Sequence, residues 1–242
     1  MTSNPHLSVI VPAYKEQERI HKILEAITDY QKSHDFGMEV IVVIDGSPDD
    51  TLTAALQFQN KVKGLKVINR KENKGKGYSV KQGILEASGD FRLFADADNS
   101  TPFQQVDRLF DFTDKYDVVI GSRRVAGGGQ KRKQSLFRRV GSDVLNLIIQ
   151  TLAVRGIKDT QCGFKLLSAD AAKKIFSRLT VDRWSFDIEM LAIARTLGYK
   201  IAEVPIIWND DPHSTVNPIK DGLKMIAASW QIRKNVLKGL YK

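Results

Sequence analysis

Five short apolar runs, each continuous rather than alternating, constrain this chain more than any other feature. They are Leu7–Pro12 (LSVIVP), Glu39–Asp45 (EVIVVID), and the runs beginning at Leu65 (LKVINR), Asp90 (DFRLFAD) and Tyr116 (YDVVIGS). Runs of this kind, rich in β-branched residues, fit strands covered on both faces. Between them the apolar spacing changes to the helical period. Ile20, Ile23, Leu24 and Ile27 form one stripe within Glu16–His34, and Asp49–Lys61, Lys76–Ala87 and Pro102–Lys115 are further helical stretches. Strands alternating with helices predict βαβ units and an α/β fold, with a doubly wound and mostly parallel sheet.

Sheets of that class bind ligands beyond the carboxyl ends of their strands. Here a polar cluster follows each of the five runs: PAYKE, DGSPDDT, ENKGKG, DADNS and GSR. One such cluster reads as turn chemistry. Five on one edge read as a site.

The remainder changes character. Arg123–Arg139 is very basic, carries a glycine triplet and lacks apolar periodicity, which predicts a mobile loop. Ser135–Val154 predicts an amphipathic helix, and DTQCGFKLL a loop entering a strand. SADAAKKIFSRL and WSFDIEMLAIARTLG read as helices, KIAEVPIIW as a strand, and the last two dozen residues as a helix with one basic side.

Charge narrows the partners. Lys and Arg number 37 against 28 Asp and Glu, a formal charge of +9, which favours anions: nucleotides, phosphates, nucleic acid or an acidic membrane. The single cysteine, Cys162, excludes an intrachain disulfide and a cysteine-cluster zinc site, so a metal would take oxygen ligands. No signal peptide and no apolar run long enough to span a bilayer is seen, and a cytoplasmic protein is expected.

Asp96 and Asp98 stand where the fourth run surfaces. Two carboxylates one residue apart are too close for a retaining glycosidase pair. Their hard oxygens suit Mg²⁺ or Mn²⁺, which take one or two protein carboxylates and complete their shell with water and substrate phosphates. Asp45 can accept from a base N–H, and Gly46 lets the backbone approach closely. Lys74 and Lys76 can meet phosphates as point charges.

LSVIVPAYKEQERI, EVIVVIDGSPDDT, ENKGKGYSVKQGILEASGD and FADADNST resemble the successive donor-site motifs of family 2 glycosyltransferases. VRGIKDTQCGFKLLS and DRWSFDIEMLAIARTLGYKIAEVPIIW resemble the dolichyl-phosphate glucosyltransferase and mannosyltransferase group, the glucosyltransferase side more closely. The resemblance implies a single GT-A domain, Rossmann-like with a mostly parallel mixed sheet. Residues 1–122 would then form the nucleotide-sugar-binding half. Residues 123–242 would form the acceptor-binding half. It implies inverting transfer of a sugar, glucose from UDP-glucose first, onto a polyprenyl phosphate.

On this chain the resemblance puts nucleotide contacts at Pro12, Tyr14 and Glu16, and the base-binding role at Asp45 beside Gly46. It puts the D-x-D at Asp96, Ala97 and Asp98, with Lys76 at the donor phosphates and Arg123 after the fifth strand. Lys15 replaces the family's usual Asn, and Ile44 the first Asp of D-D-G-S. Arg138, with Ser142 one helical turn on, matches the family's acceptor-phosphate pair, and Arg124 is a further cation for it. Gln161 and Trp184 shape the sugar pocket. Asp187 is a base if the acceptor is a hydroxyl, and otherwise orients the sugar or arginine side chains. A lipid acceptor implies peripheral membrane contact, with Ser135–Val154 and Pro218–Lys242 as the helices that would lie in the interface. A membrane-protein partner or self-association is compatible with that surface. Other readings keep the family but change the donor to GDP-mannose or a UDP-N-acetylhexosamine, or the acceptor to a glycolipid, polysaccharide or protein hydroxyl. A nucleic-acid-binding module rests on charge alone, since the basic cluster lacks interleaved aromatics.

Overall fold

The computed structural model describes residues 5–130, 136–209 and 218–242, without the side chains of residues 130, 136–143 and 218–221. All five expected strands form: β1 (Leu7–Ala13), β2 (Met38–Ile44), β3 (Leu65–Asn69), β4 (Phe91–Ala95) and β5 (Val118–Ser122). Helices α1 (Ile20–Ser33), α2 (Thr51–Leu56), α3 (Lys76–Glu86) and α4 (Val106–Phe110) connect them. The second half contributes β6 (Gly129–Gln130), α5 (Leu136–Leu152), β7 (Phe164–Ser168), α6 (Ala169–Arg178), α7 (Phe186–Thr196), β8 (Ile201–Pro205), β9 (Ile207–Trp208) and α8 (Pro218–Leu237).

One seven-stranded sheet, ordered β3-β2-β1-β4-β7-β5-β8, runs through both halves of the sequence. β1 pairs in parallel with β2 and with β4. β7 inserts antiparallel between β4 and β5, making the sheet mixed. Continuous apolar runs are explained by helices on both faces. Val9 and Val11 of β1 and Val40, Val42 and Ile44 of β2 pack with Ile20, Ile23 and Leu24 of α1. Ile10, Ile41 and Val43 point the other way, toward α3, α6, α7 and the inner sides of α5 and α8. At roughly 25 cal/mol per Å² of buried apolar surface, these two cores carry most of the stability.

Some boundaries differ from the sequence reading. The stretch 16–19 is a turn, with the Arg19 and Ile20 N–H groups donating to the Glu16 carbonyl, and α1 starts only at Ile20. The Asp49–Lys61 stretch is helical only over Thr51–Leu56, and Pro102–Lys115 divides into a 3-10 turn at Phe103–Gln105 and the short α4. The expected single strand KIAEVPIIW breaks after Pro205, where β9 leaves the sheet and pairs with β6. β6 lies inside the segment expected to be a loop; residues 131–135 of that segment lie outside the described residues. Among the described residues no helix is long and apolar enough to cross a membrane.

Candidate active site

The strand order fixes the crevice. The chain runs outward through β1, β2 and β3, then crosses back to place β4 on the other side of β1. That reversal is the switch point where open α/β sheets bind ligands. The two loops that diverge there begin at Tyr14 and at Asp96, directly beyond β1 and β4. Pro12 is buried inside β1, and Tyr14 is 43% exposed at the mouth.

Lys15 adopts φ 57°, in the left-handed region. Asn enters that region more readily than Lys, so the backbone here suits the residue that the sequence lacks. The turn is held by Ser47, whose Oγ accepts the Lys15 N–H at 2.7 Å, and by Thr51, whose Oγ1 accepts the Glu16 N–H at 2.8 Å. Glu16 itself takes two 2.8 Å bonds from the Arg19 guanidinium. Burial pushes its carboxyl up to about 7 against the pull of Arg19, and the charges of Asp98 and Asp96 push the same way.

Asp45 organises the second and third loops. Its Oδ1 accepts from Arg70 and from the Lys74 N–H (2.8 Å), and its Oδ2 accepts the Gly75 N–H at 2.7 Å. A carboxylate offers about four acceptor sites, so one is left on Oδ2. Gly46, at φ 60°, is required by this approach: a Cβ there would lie 2.6 Å from the Glu72 carbonyl carbon. Arg70 and Lys74 both stack on the Tyr78 ring, at 4.9 Å.

The D-x-D motif meets its neighbours beyond β4. Lys76 donates to Asp96 at 2.5 Å and lies 5.3 Å from the ring centre of Trp184. Burial works against the Lys76 ammonium, yet Asp96, Asp187 and Asp98 together hold it above the ordinary lysine range. Asp98 accepts the Ser100 N–H at 2.8 Å, and burial, then the Asp96 charge, raises its carboxyl. Ala97 between them is buried. Trp184 is 53% exposed, which excludes it from the core and leaves it at the rim.

Three residues that the motif reading passed over complete this edge. Because β7 is antiparallel, its entry rather than its end lies beside Asp96. The Asp96 N–H donates to the Gly163 carbonyl at 3.2 Å, and a Cβ on Gly163 would fall 2.1 Å from Asp96 Oδ2. The glycine of DTQCGFKLL is therefore what gives Asp96 its room. Asp159 receives Arg123 through Nε and Nη2, both at 2.8 Å, and through the Arg123 backbone N–H at 2.9 Å. Arg123 is thereby held over Trp208, 5.2 Å from the ring centre, and its guanidinium, despite burial, is driven further toward the charged form by Asp159. Lys165, fully buried, ion-pairs with Asp187 and lies 5.1 Å from the centre of Phe94.

Asp187, expected to be a base for a hydroxyl acceptor or otherwise to orient the sugar or arginine side chains, ion-pairs with Lys165, and its side chain is 4% exposed. Burial lifts its carboxyl above the usual range even with Lys165 and Lys76 close by. This pair is not legible from residue types, since lysine is rarely buried. Gln161 donates to the Met225 sulfur at 3.2 Å, tying the loop before β7 to α8. Arg124 follows β5 and is half-buried, its backbone N–H 3.3 Å from Ser122 Oγ. Arg138 and Ser142 belong to α5, and their side chains lie outside the described residues.

The arrangement is an oxygen-rich edge of Glu16, Asp96 and Asp98, faced by the cations Lys76 and Arg123. Among the described residues no three His, Cys, Asp or Glu side chains gather to hold a metal by themselves. Two carboxylates one residue apart fit a hard dication whose remaining ligands are water and phosphate oxygens. The Lys76 ammonium already rests on one of these carboxylates.

The family model for glycosyl transferase family 2 matches residues 8–176. Dolichyl-phosphate beta-glucosyltransferase of Dictyostelium discoideum is 36% identical over 252 residues, covering 99% of this chain and 77% of that protein. The Homo sapiens protein of the same name is 34% identical, covering 98% and 77%. Among solved structures, glucosyl-3-phosphoglycerate synthase from Mycobacterium tuberculosis, crystallised with Mn²⁺, UDP-glucose and phosphoglyceric acid, superposes with a TM-score of 0.70. It is 18% identical, and the match covers 95% of this chain and 79% of that one. At that identity the likeness bears on the fold, a GT-A glycosyltransferase fold.

Proposed function

The chain belongs to glycosyl transferase family 2, and on that footing we propose that it transfers glucose from UDP-glucose to dolichyl phosphate, with inversion. The observation that carries this reading is near-full-length similarity to dolichyl-phosphate beta-glucosyltransferases, combined with a carboxylate pair at the sheet's switch point. Asp98 and Asp96 would hold Mg²⁺ or Mn²⁺, which would neutralise charge on the departing diphosphate. Lys76 and Arg123 add fixed positive charge on the same side. The remaining acceptor site on Asp45 is available to a base N–H, and Tyr14 is positioned to cover the nucleotide. Trp184 and Gln161 would border the sugar.

An oxygen of the lipid phosphate bonds to the anomeric carbon as the bond from that carbon to UDP breaks, and UDP leaves with the electron pair. A phosphate monoester has its second pKa near 6, so the nucleophile is already ionised near neutral pH. No residue need take its proton. Asp187, buried under Lys165, then serves to place Lys165 and Lys76 rather than to act as a base. Arg138, Ser142 and Arg124 are assigned to the acceptor phosphate.

The acceptor brings the protein to a bilayer, on the cytoplasmic face. Val144 and Leu147 on α5 and Leu223, Trp230, Leu237 and Leu240 on and just after α8 are exposed apolar residues. On α8 they follow heptad spacing, opposite the buried Met225, Ser229 and Ile232, so α8 carries a second, outward apolar stripe. Lys234 sits 3.4 Å from the Trp230 ring centre, a pairing suited to the headgroup boundary.

Two measurements test the reading. Arg138→Ala should lose a charge-assisted contact worth roughly 1.5–3 kcal/mol, seen as about ten- to a hundredfold weaker dolichyl phosphate binding with UDP affinity unchanged. Equal loss of both affinities would contradict the acceptor assignment. The second concerns pH. Glu16 stays partly protonated to about 7, and a dication beside it favours the ionised form. The Mn²⁺-dependent affinity for UDP should therefore rise as pH increases through 7, and Glu16→Gln should flatten that rise. Calorimetry at several pH values reads both; an unchanged slope in Glu16→Gln would remove Glu16 from the metal's surroundings.

A further inference from the structure

A cleft of about 880 Å³ opens between the end of α5, α7 and α8, apart from the β1/β4 crevice. Its lining combines Arg155, Arg195 and Arg233 with Leu147, Leu152 and Val236, and includes no Asp or Glu among the described residues. Two of the arginines have a local task. Arg195 donates to the Arg155 carbonyl at 2.5 Å, bracing the turn that follows α5, and Arg233 donates to the Leu152 carbonyl at 3.3 Å, at the negative end of α5. Each spends one of five N–H donors in doing so. The Arg155 side chain is exposed and has no hydrogen-bond or ion-pair partner among the described residues. These two backbone bonds therefore do not explain three guanidiniums around one hollow.

The surroundings identify the ligand's chemistry. Leu147, 64% exposed, belongs both to the cleft wall and to the outward apolar residues of α5 and α8. Arg233 stands one turn after Trp230 and one turn before Leu237 on α8. A ligand here meets three exposed guanidiniums beside exposed hydrocarbon. That matches the phosphodiester headgroup of an anionic phospholipid whose chains remain in the bilayer, since guanidinium forks suit phosphate oxygens.

We propose that Arg155, Arg195 and Arg233 form a headgroup site for an anionic phospholipid, separate from the acceptor-phosphate site. It rests on the membrane-surface reading above and gives that contact a defined anchor. The site would orient α5 with its amino end, the acceptor end, at a fixed depth.

The test uses full-length protein and vesicles of phosphatidylcholine, with or without phosphatidylglycerol, lacking any polyprenyl phosphate. Cosedimentation measures partitioning. Arg155→Glu should weaken binding to phosphatidylglycerol vesicles about ten- to thirtyfold, from roughly one charge's worth of headgroup attraction lost and one reversed. Lys22→Glu makes the same charge change on exposed α1, across the sheet, and should weaken it far less. Equal losses would mean that net charge alone drives binding, and no loss in Arg155→Glu would remove the site. Either overturns the proposal. Saturable binding of inorganic phosphate to wild type that disappears in Arg155→Glu would also overturn it, by making this a site for free anion. Arg155→Glu should keep wild-type glucosyl transfer to a short, water-soluble prenyl phosphate, which separates failure of the anchor from failure of the proposed reaction.

Discussion

Asp98→Ala should lower glucosyl transfer by about a hundred- to a thousandfold, the scale seen when a preorganised group facing transition-state charge is removed. Asp98 lies where the crevice begins, and its carboxyl is raised by burial and by Asp96, so a dication bound there would favour the ionised form against both. Wild type in excess chelator should show the same loss, and the two effects should not add. UDP binding without metal should survive the substitution, because Asp45 and Tyr14 stand on other loops. Gly163→Ala should reproduce much of the defect without touching a carboxylate, since its Cβ would occupy the place of Asp96 Oδ2. Steady-state rates across a metal titration check this. Full turnover of Asp98→Ala, or of wild type in chelator, would contradict it.

Lys165→Met should destabilise the fold by about 3–5 kcal/mol, because it strands the Asp187 carboxylate in the core without its partner. The double change Lys165→Met/Asp187→Leu should recover most of that loss, since a buried ion pair contributes little against well-packed apolar side chains of similar size. Denaturant midpoints at constant slope measure both. The recovered double variant should still transfer poorly, with the charges of Lys165 and Asp187 missing near Lys76 and Asp96. A loss below about 1 kcal/mol for Lys165→Met would mean that the pair does not hold this layer together.

The periodicity of residues 7–122 makes five strands of a mostly parallel sheet readable, because buried parallel strands must be apolar on both faces. Their polar ends mark one edge of the sheet. The direction of β7 was not readable. FKLLS is equally compatible with either orientation, and its antiparallel insertion alone brings Gly163 against Asp96. Nothing in the residue pattern around Asp159 and Lys165 marks either as buried. Only the tertiary packing shows them as the buried partners of Arg123 and Asp187. Helix lengths were overestimated at α2 and α4, where turn residues continue the apolar pattern after the helical hydrogen bonds have ended. Trp184 is exposed beside Lys76 and is no part of the core, which the residue type alone does not reveal.

Transfer of a sugar from a nucleotide to a lipid phosphate is read by incubating the protein with UDP-[¹⁴C]glucose, Mg²⁺ and either dolichyl phosphate or dolichol, then extracting lipid. Label should enter the lipid phase with dolichyl phosphate, not with dolichol, and far less when GDP-[¹⁴C]mannose replaces the donor. Label transferred equally to dolichol, or found only when GDP-mannose is supplied, would contradict it.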